Sequence, residues 1–142
     1  EPVLCDFGSV SPLRIEVTSR KEALTVAEDA AQLTTATYRA PELYDTPSHC
    51  VIDGATDVWA LGCVVYALYH QWSPFENAAE GILSLNILSA SFNFPMTSEC
   101  PPSIRALISA MLAQQPTARP GIQEVVRALE ASVTVPIVEE GE

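Results

Sequence analysis

Positive charge is scarce in this sequence. Its 142 residues carry seven Lys and Arg against eighteen Asp and Glu, a formal net charge of -11. Nonspecific nucleic-acid binding and electrostatic attachment to anionic membranes both need clustered cations, so the composition argues against both. It leaves room for a phosphorylated small molecule, which a few placed groups and a metal ion suffice to hold. The acidic residues Glu139, Glu140 and Glu142 sit in a stretch, 133–142, that reads as a loose solvated tail. Cysteine and histidine are also few. Cys5, Cys50, Cys63 and Cys100 show no C-x-x-C spacing and no paired histidines nearby, which points to reduced thiols of an intracellular protein rather than to zinc or disulfides. The longest apolar run, Val58 to Tyr69, falls short of the ~20 residues that span a bilayer. The opening Glu1-Pro2-Val3 shows no basic region followed by an apolar stretch, so no signal peptide is expected. With 48% hydrophobic and 18% charged residues, the chain reads as one globular domain with a real core.

What is present is mostly helical pattern. Pro2-Val3-Leu4-Cys5 predicts a short strand ending at Asp6-Phe7-Gly8. Residues 9–37 have little apolar periodicity and read as a long loop, with a short helix over Lys21–Gln32; long loops in compact domains are usually functional. Val58–Tyr69 has almost no polar side, which predicts a helix buried all round, with Asp57 as its N-cap and Ser73-Pro74 as its stop. A further helix is expected within Asn77–Ala90, on Ile82, Leu85, Ile87 and Leu88. Another starts at Pro101-Pro102-Ser103 and presents Ile104, Leu107, Ile108, Met111 and Leu112. Pro116 and Pro120 bracket a turn holding Arg119, and Ile122, Val125, Val126 and Leu129 form the apolar face of a last helix. The fold class is therefore mainly α, a bundle around one buried helix.

Four short motifs follow one another along the chain: Asp6-Phe7-Gly8, Ala40-Pro41-Glu42, Asp57-Val58-Trp59-Ala60-Leu61-Gly62 and Arg119-Pro120. Asp6 taken alone is an ordinary turn residue, although its carboxylate can ligate magnesium and Gly8 allows a sharp turn after it. In this order the four resemble the C-terminal half of the eukaryotic protein-kinase signature, from Pro2 to about Ala131. The resemblance implies a protein-kinase-like C-lobe fragment over 1–132, with an activation segment at about 6–42 and with the N-lobe and catalytic loop absent.

The same resemblance implies roles for matching residues. Asp6 corresponds to the aspartate that holds Mg2+ on the phosphates of ATP, Phe7 to the phenylalanine whose packing sets active geometry, and Cys5 to the floor of the nucleotide pocket. Thr35 matches the threonine that positions the catalytic aspartate and the substrate hydroxyl, which implies a protein substrate phosphorylated on serine or threonine. Glu42 and Arg119 correspond to an ion pair that clamps the substrate loop to the helical core, a geometry that carboxylate and guanidinium form bidentately. Asp57 corresponds to the aspartate that braces the catalytic loop. Ser19, Thr34 and Thr37 are equally loop hydroxyls or phosphorylation sites, and His49 and His70 have no catalytic partner in view.

Finer wording, Pro2-Val3-Leu4, Ala30-Ala31-Gln32 and Ser48 to Asp53, is similar to the Numb-associated kinase family, closest to its myristoylated and palmitoylated (serine/threonine kinase sixteen) branch. That implies an enlarged activation segment with an extra helix, for which residues 40–56 leave room. It also implies an intracellular, cytoplasmic protein associated with Golgi or other membranes through an acylated N-terminus that these residues do not include. A Gly-rich loop, a phosphate lysine and H-R-D are missing from the 142 residues, and the sole lysine, Lys21, lies after Asp6. The expectation is a fragment of a longer kinase that is inactive alone and exposes an apolar patch of its central helix. The alternative is a pseudokinase or non-catalytic protein-binding helical module.

Overall fold

The computed structural model describes residues 3–133 and is organised around one helix. Helix numbering follows the chain: α1 is Arg20–Leu33, α2 Pro41–Tyr44, α3 Ala55–His70, α4 Ser84–Leu88, α5 Pro102–Met111 and α6 Ile122–Val133. Two small antiparallel ladders complete it, β1 (Ile15–Val17) with β2 (Cys50–Ile52) and β3 (Glu76–Asn77) with β4 (Gly81–Ile82). No helix among the described residues is long and apolar enough to cross a membrane.

The core gathers where α3 meets α5. Gly62 makes that approach possible: a Cβ there would stand 3.0 Å from Met111 Cβ and 3.1 Å from Leu112 Cδ2. One cluster joins Trp59, Cys63 and Tyr66 of α3 to Phe75, Ile87, Ile104 and Ile108. A second joins Val58 to Leu107, Met111 and Val125, which carries α6 onto the same post. Trp59 and Phe75 stack with centroids 5.2 Å apart and planes within 6°.

Several expectations need correction. Helix α3 starts before Asp57, because Asp53 Oδ1 accepts the Ala55 N–H at 2.9 Å and the Asp53 carbonyl accepts the Thr56 N–H and hydroxyl. Asp57 lies exposed in the first turn, where a carboxylate complements the helix dipole. Nor is α3 buried all round. Leu68 is 76% exposed, Tyr69 45% and Val64 42%, because α5 and α6 cover one side only.

The expected helix over 77–90 shrinks to α4 for two local reasons. Asn77 Oδ1 accepts the N–H groups of Ala79 and Glu80, and Gly81 has φ +73; both favour a turn, so a hairpin forms first. Residues 3–5 are irregular rather than a strand, with no ladder partner among the described residues. The last helix buries Val125 and half-buries Leu129, leaving Ile122 and Val126 exposed. The acidic residues of the tail lie outside the described residues.

The room expected for an extra helix at residues 40–56 holds the four-residue α2, β2 and the first two residues of α3, whereas the longer helix α1 lies ahead of Ala40-Pro41-Glu42. Ser19 caps α1 by accepting the Glu22 N–H through its hydroxyl, and the Glu22 carboxylate reaches back to accept the N–H of Thr18, just before the cap, at 2.7 Å, which together fix where the helix begins. Helix α1 then buries Ala23 and Ala30 against α2 and the β1–β2 ladder. That ladder pairs Ile15 with Ile52 and Val17 with Cys50, tying the segment after Gly8 to the segment after α2.

Candidate functional site

The strongest polar feature is built from two short segments far apart in sequence. Pro41 occupies the first turn of α2, where its missing N–H costs nothing, and sets Glu42 at the start of that helix. Arg119 precedes Pro120, which forces it extended (φ -76, ψ 145), so its side chain leaves the turn Pro116–Ala118 toward α2. The two meet as a fork: Arg119 Nη1 donates to Glu42 Oε1 at 2.7 Å and Nη2 to Oε2 at 2.8 Å, across a separation of 77 residues. Both side chains are buried. The guanidinium has five N–H donors, and the other three go to the carbonyls of Ala113, Ala55 and Gln114. Its face lies 5.0 Å above the Trp59 ring, so the charge is compensated on every side. Trp59 Nε1 has no hydrogen-bond partner among the described residues; Trp59 serves this site through its ring.

The segment between Thr34 and Tyr44 is pinned by further contacts that the sequence did not announce. Arg39 donates from Nε to Thr34 Oγ1 (2.8 Å) and from Nη2 to the Thr34 carbonyl (2.9 Å), and its guanidinium covers the Tyr44 ring at 4.8 Å. Thr34 thus accepts from Arg39 while donating to Ala30 O, and it closes α1. Buried Ser73 donates to the Thr37 carbonyl at 3.1 Å, which ties the exit of α3 to this segment. Ser19 is a cap, Thr34 is bonded and Thr37 is buried, whereas Thr35 is exposed with no side-chain bond among the described residues. Arg39 directly precedes the Ala40-Pro41-Glu42 motif, and Ser73 was legible only as part of the stop of α3, not as a partner of Thr37.

Cys5, Asp6 and Phe7 lie together in an exposed segment. Asp6 adopts a left-handed conformation (φ 62), tolerable for aspartate, and Phe7 is 68% exposed. No hydrogen bond or ion pair joins Asp6, Thr35 or Asp57 to the Glu42–Arg119 fork among the described residues. The structure therefore brings together the clamp and leaves the residues matched to chemistry as separate, open groups. Burial pushes the Cys63 thiol up to about 12, so it stays protonated as part of the core. The His70 ring is held below its ordinary value by burial and by the Arg105 charge.

Magnesium binds hard oxygens and commonly takes one or two carboxylates, with phosphate and water completing its shell. Asp6 supplies one open carboxylate, and no group of three His, Cys, Asp or Glu positioned for a metal occurs among the described residues. Such a donor fits an ion held from one side against a phosphate, not an all-protein cage.

Comparison with known proteins agrees with the motif order. The model of the protein kinase domain matches residues 2–129. Serine/threonine-protein kinase 16 of Mus musculus is 38% identical over 132 residues, 92% of this chain and 43% of its own length. A probable serine/threonine-protein kinase of Dictyostelium discoideum is 50% identical over 91 residues, 62% of this chain and 25% of its own. The chain thus spans less than half the length of these curated relatives. Among solved structures, titin kinase with its flanking domains superposes with a TM-score of 0.61 at 24% identity, over 76% of this chain and 20% of that one, a likeness of fold.

Proposed function

Because this chain belongs to the protein kinase domain family, we propose that it forms the helical half of a serine/threonine protein kinase that transfers the terminal phosphoryl group of ATP to protein hydroxyls. The observation that carries this reading is the fully bonded Glu42–Arg119 fork, which holds Ala40-Pro41-Glu42 and the threonine segment before it on the α3 post. A loop clamped in this way presents Thr35 at a fixed place, and a hydroxyl there can hydrogen-bond an incoming serine or threonine. The relatives' names support the same acceptor class.

Asp6 is the residue that would hold Mg2+. When bound, the ion neutralises charge on the phosphate oxygens of ATP. Cys5 and Phe7 flank that carboxylate and would line the nucleotide side, and Asp57, open at the start of α3, would brace the loop that carries the catalytic base. The exposed strip Val64 and Leu68 on α3 supports this arrangement, since it offers an apolar seat for the rest of the domain. By resemblance the protein works in the cytoplasm, with any Golgi or membrane attachment carried by acyl groups outside these residues.

The test is phosphorylation of serine and threonine peptides by the full-length protein with ATP and magnesium, beside the 142-residue chain alone. Transfer by the former and none by the latter is expected. An inactive full-length protein that still binds partner proteins through the helical half would establish the non-catalytic module instead.

A further inference from the structure

The short turn Thr35–Tyr38 has a use for each of its first three carbonyls. The Thr35 carbonyl accepts the Tyr38 N–H at 3.1 Å, and the Ala36 carbonyl accepts the Arg39 N–H at 3.3 Å and the Tyr44 hydroxyl at 2.7 Å. Those bonds run no further than the end of α2. The Thr37 carbonyl differs, because its donor is the Ser73 hydroxyl, 36 residues further along the chain. Among the described residues this is the one hydrogen bond that fastens the turn to anything beyond α2. Serine is mostly an exposed residue, yet Ser73 is only 2% exposed, and a buried polar side chain calls for a partner. Local structure sets it there. Gln71 closes α3 in the left-handed region (φ 65), an uncommon state for a residue with a Cβ, which reverses the chain just before Ser73. The Ser73 oxygen also accepts the Phe75 N–H at 3.3 Å. Phe75 in turn stacks on Trp59, the ring that lies against Arg119, so the anchor of the turn and the fork rest on the same two rings.

We propose that Ser73 is a positioning residue for the phosphoacceptor: through the Thr37 carbonyl it fixes the turn, and with it the open Thr35 hydroxyl two residues earlier, on the α3 post. The inference rests on the kinase reading for what Thr35 touches, and on the buried bond alone for what holds Thr35 in place. Reaction geometry is sensitive to small displacements, so a partner of the acceptor hydroxyl must be held as well as present. Without the Ser73 hydroxyl, the buried Thr37 carbonyl loses its donor and the turn gains by moving toward water. Nothing in this chain of contacts reaches Asp6, so the effect falls on the acceptor side and not on the nucleotide side.

The experiment uses the full-length protein in two arms. The first measures transfer to a threonine peptide by the natural protein, Ser73→Ala, Thr35→Ala and the variant carrying both. The second follows amide hydrogen exchange of residues 35–39 without substrate. Ser73→Ala should lower kcat/KM for the peptide by about tenfold, the worth of one buried hydrogen bond whose acceptor is left unpaired, and leave the KM for ATP unchanged. In the Thr35→Ala background the same change should have almost no further effect, because Ser73 acts through Thr35. Exchange of the Tyr38 and Arg39 N–H groups should quicken by about tenfold in Ser73→Ala. Ser73→Thr keeps the hydroxyl and should restore both readouts to within about twofold; should its extra methyl lower the melting temperature, the cycle with Thr35→Ala decides alone. A tenfold loss that persists in full without the Thr35 hydroxyl is a general structural effect and overturns the proposal, as does a Ser73→Ala protein with natural transfer and natural exchange. Exchange that Ser73→Ala quickens, in a protein that phosphorylates no peptide even in its natural form, upholds the anchor and overturns the kinase reading.

Discussion

The Glu42–Arg119 fork and the Val3–Leu13 stretch stand at opposite limits of how far this chain determines its own side chains. At the fork every donor is used, a ring lies under the guanidinium, and two segments 77 residues apart are locked together. In the stretch holding Asp6, every residue from Val3 to Leu13 is exposed, apolar Leu4 and Val10 included. Both carry motifs of one family, yet only the first is held by its neighbours here. Residues that hold the helical half together find their partners inside it. The residue matched to metal binding finds none among the described residues, which fits a group whose partners are a phosphate and the remainder of the domain.

That contrast can be broken most forcefully at the fork. Glu42→Ala leaves a buried guanidinium without its counter-charge and should cost about 3–5 kcal/mol, read by urea unfolding. A loss below about 1 kcal/mol would place the fork among surface pairs and end the comparison. Gly62→Val tests the core just beneath it. The new side chain meets Met111 and Leu112 and should cost about 2–3 kcal/mol by the same measurement, unless α3 and α5 can separate.

A smaller effect concerns His70. Its folded pKa lies below the ordinary 6.5, so the unfolded chain takes up the proton first. The stability contributed by the neutral ring is complete above that value and is lost as pH falls through the lower folded pKa. Unfolding midpoints should therefore drop on acidification below 6.5 by more in the natural chain than in His70→Gln. Least of all, Leu68→Gln should change stability by under about 0.5 kcal/mol while reducing self-association in sedimentation, because that side chain touches solvent rather than core.

Much of the fold was legible because the information is local. The apolar density of Val58–Tyr69 announced the central helix and the prolines marked the start of α5, whereas the pairing of Glu42 with Arg119, 77 residues apart, was implied only by the motif resemblance. What escaped depends on competing local bonds or distant partners. Asp53 and Gly54 provide an earlier start for α3 than Asp57 does, and Asn77 with Gly81 converts leucine-rich helical spacing into a hairpin. Strands β1 and β2, three residues each, are specified only by one another. All-round burial of α3 failed for a related reason: an apolar strip shows that a surface can be covered, not which residues cover it. At the candidate site, the roles of Asp6 and Thr35 came from motif order alone, since neither makes a side-chain bond that a sequence pattern could encode.

One measurement tests the central claim most directly: Asp6→Asn in the full-length protein, read at once for melting temperature and for magnesium-dependent phosphoryl transfer from ATP. Asparagine tolerates the left-handed conformation and the site is open, so melting should stay within a degree or two of the natural protein while transfer falls by at least about a hundredfold. Unchanged transfer would contradict the assignment of Asp6 to the metal, and a collapse in melting would contradict the division between clamp and open chemistry.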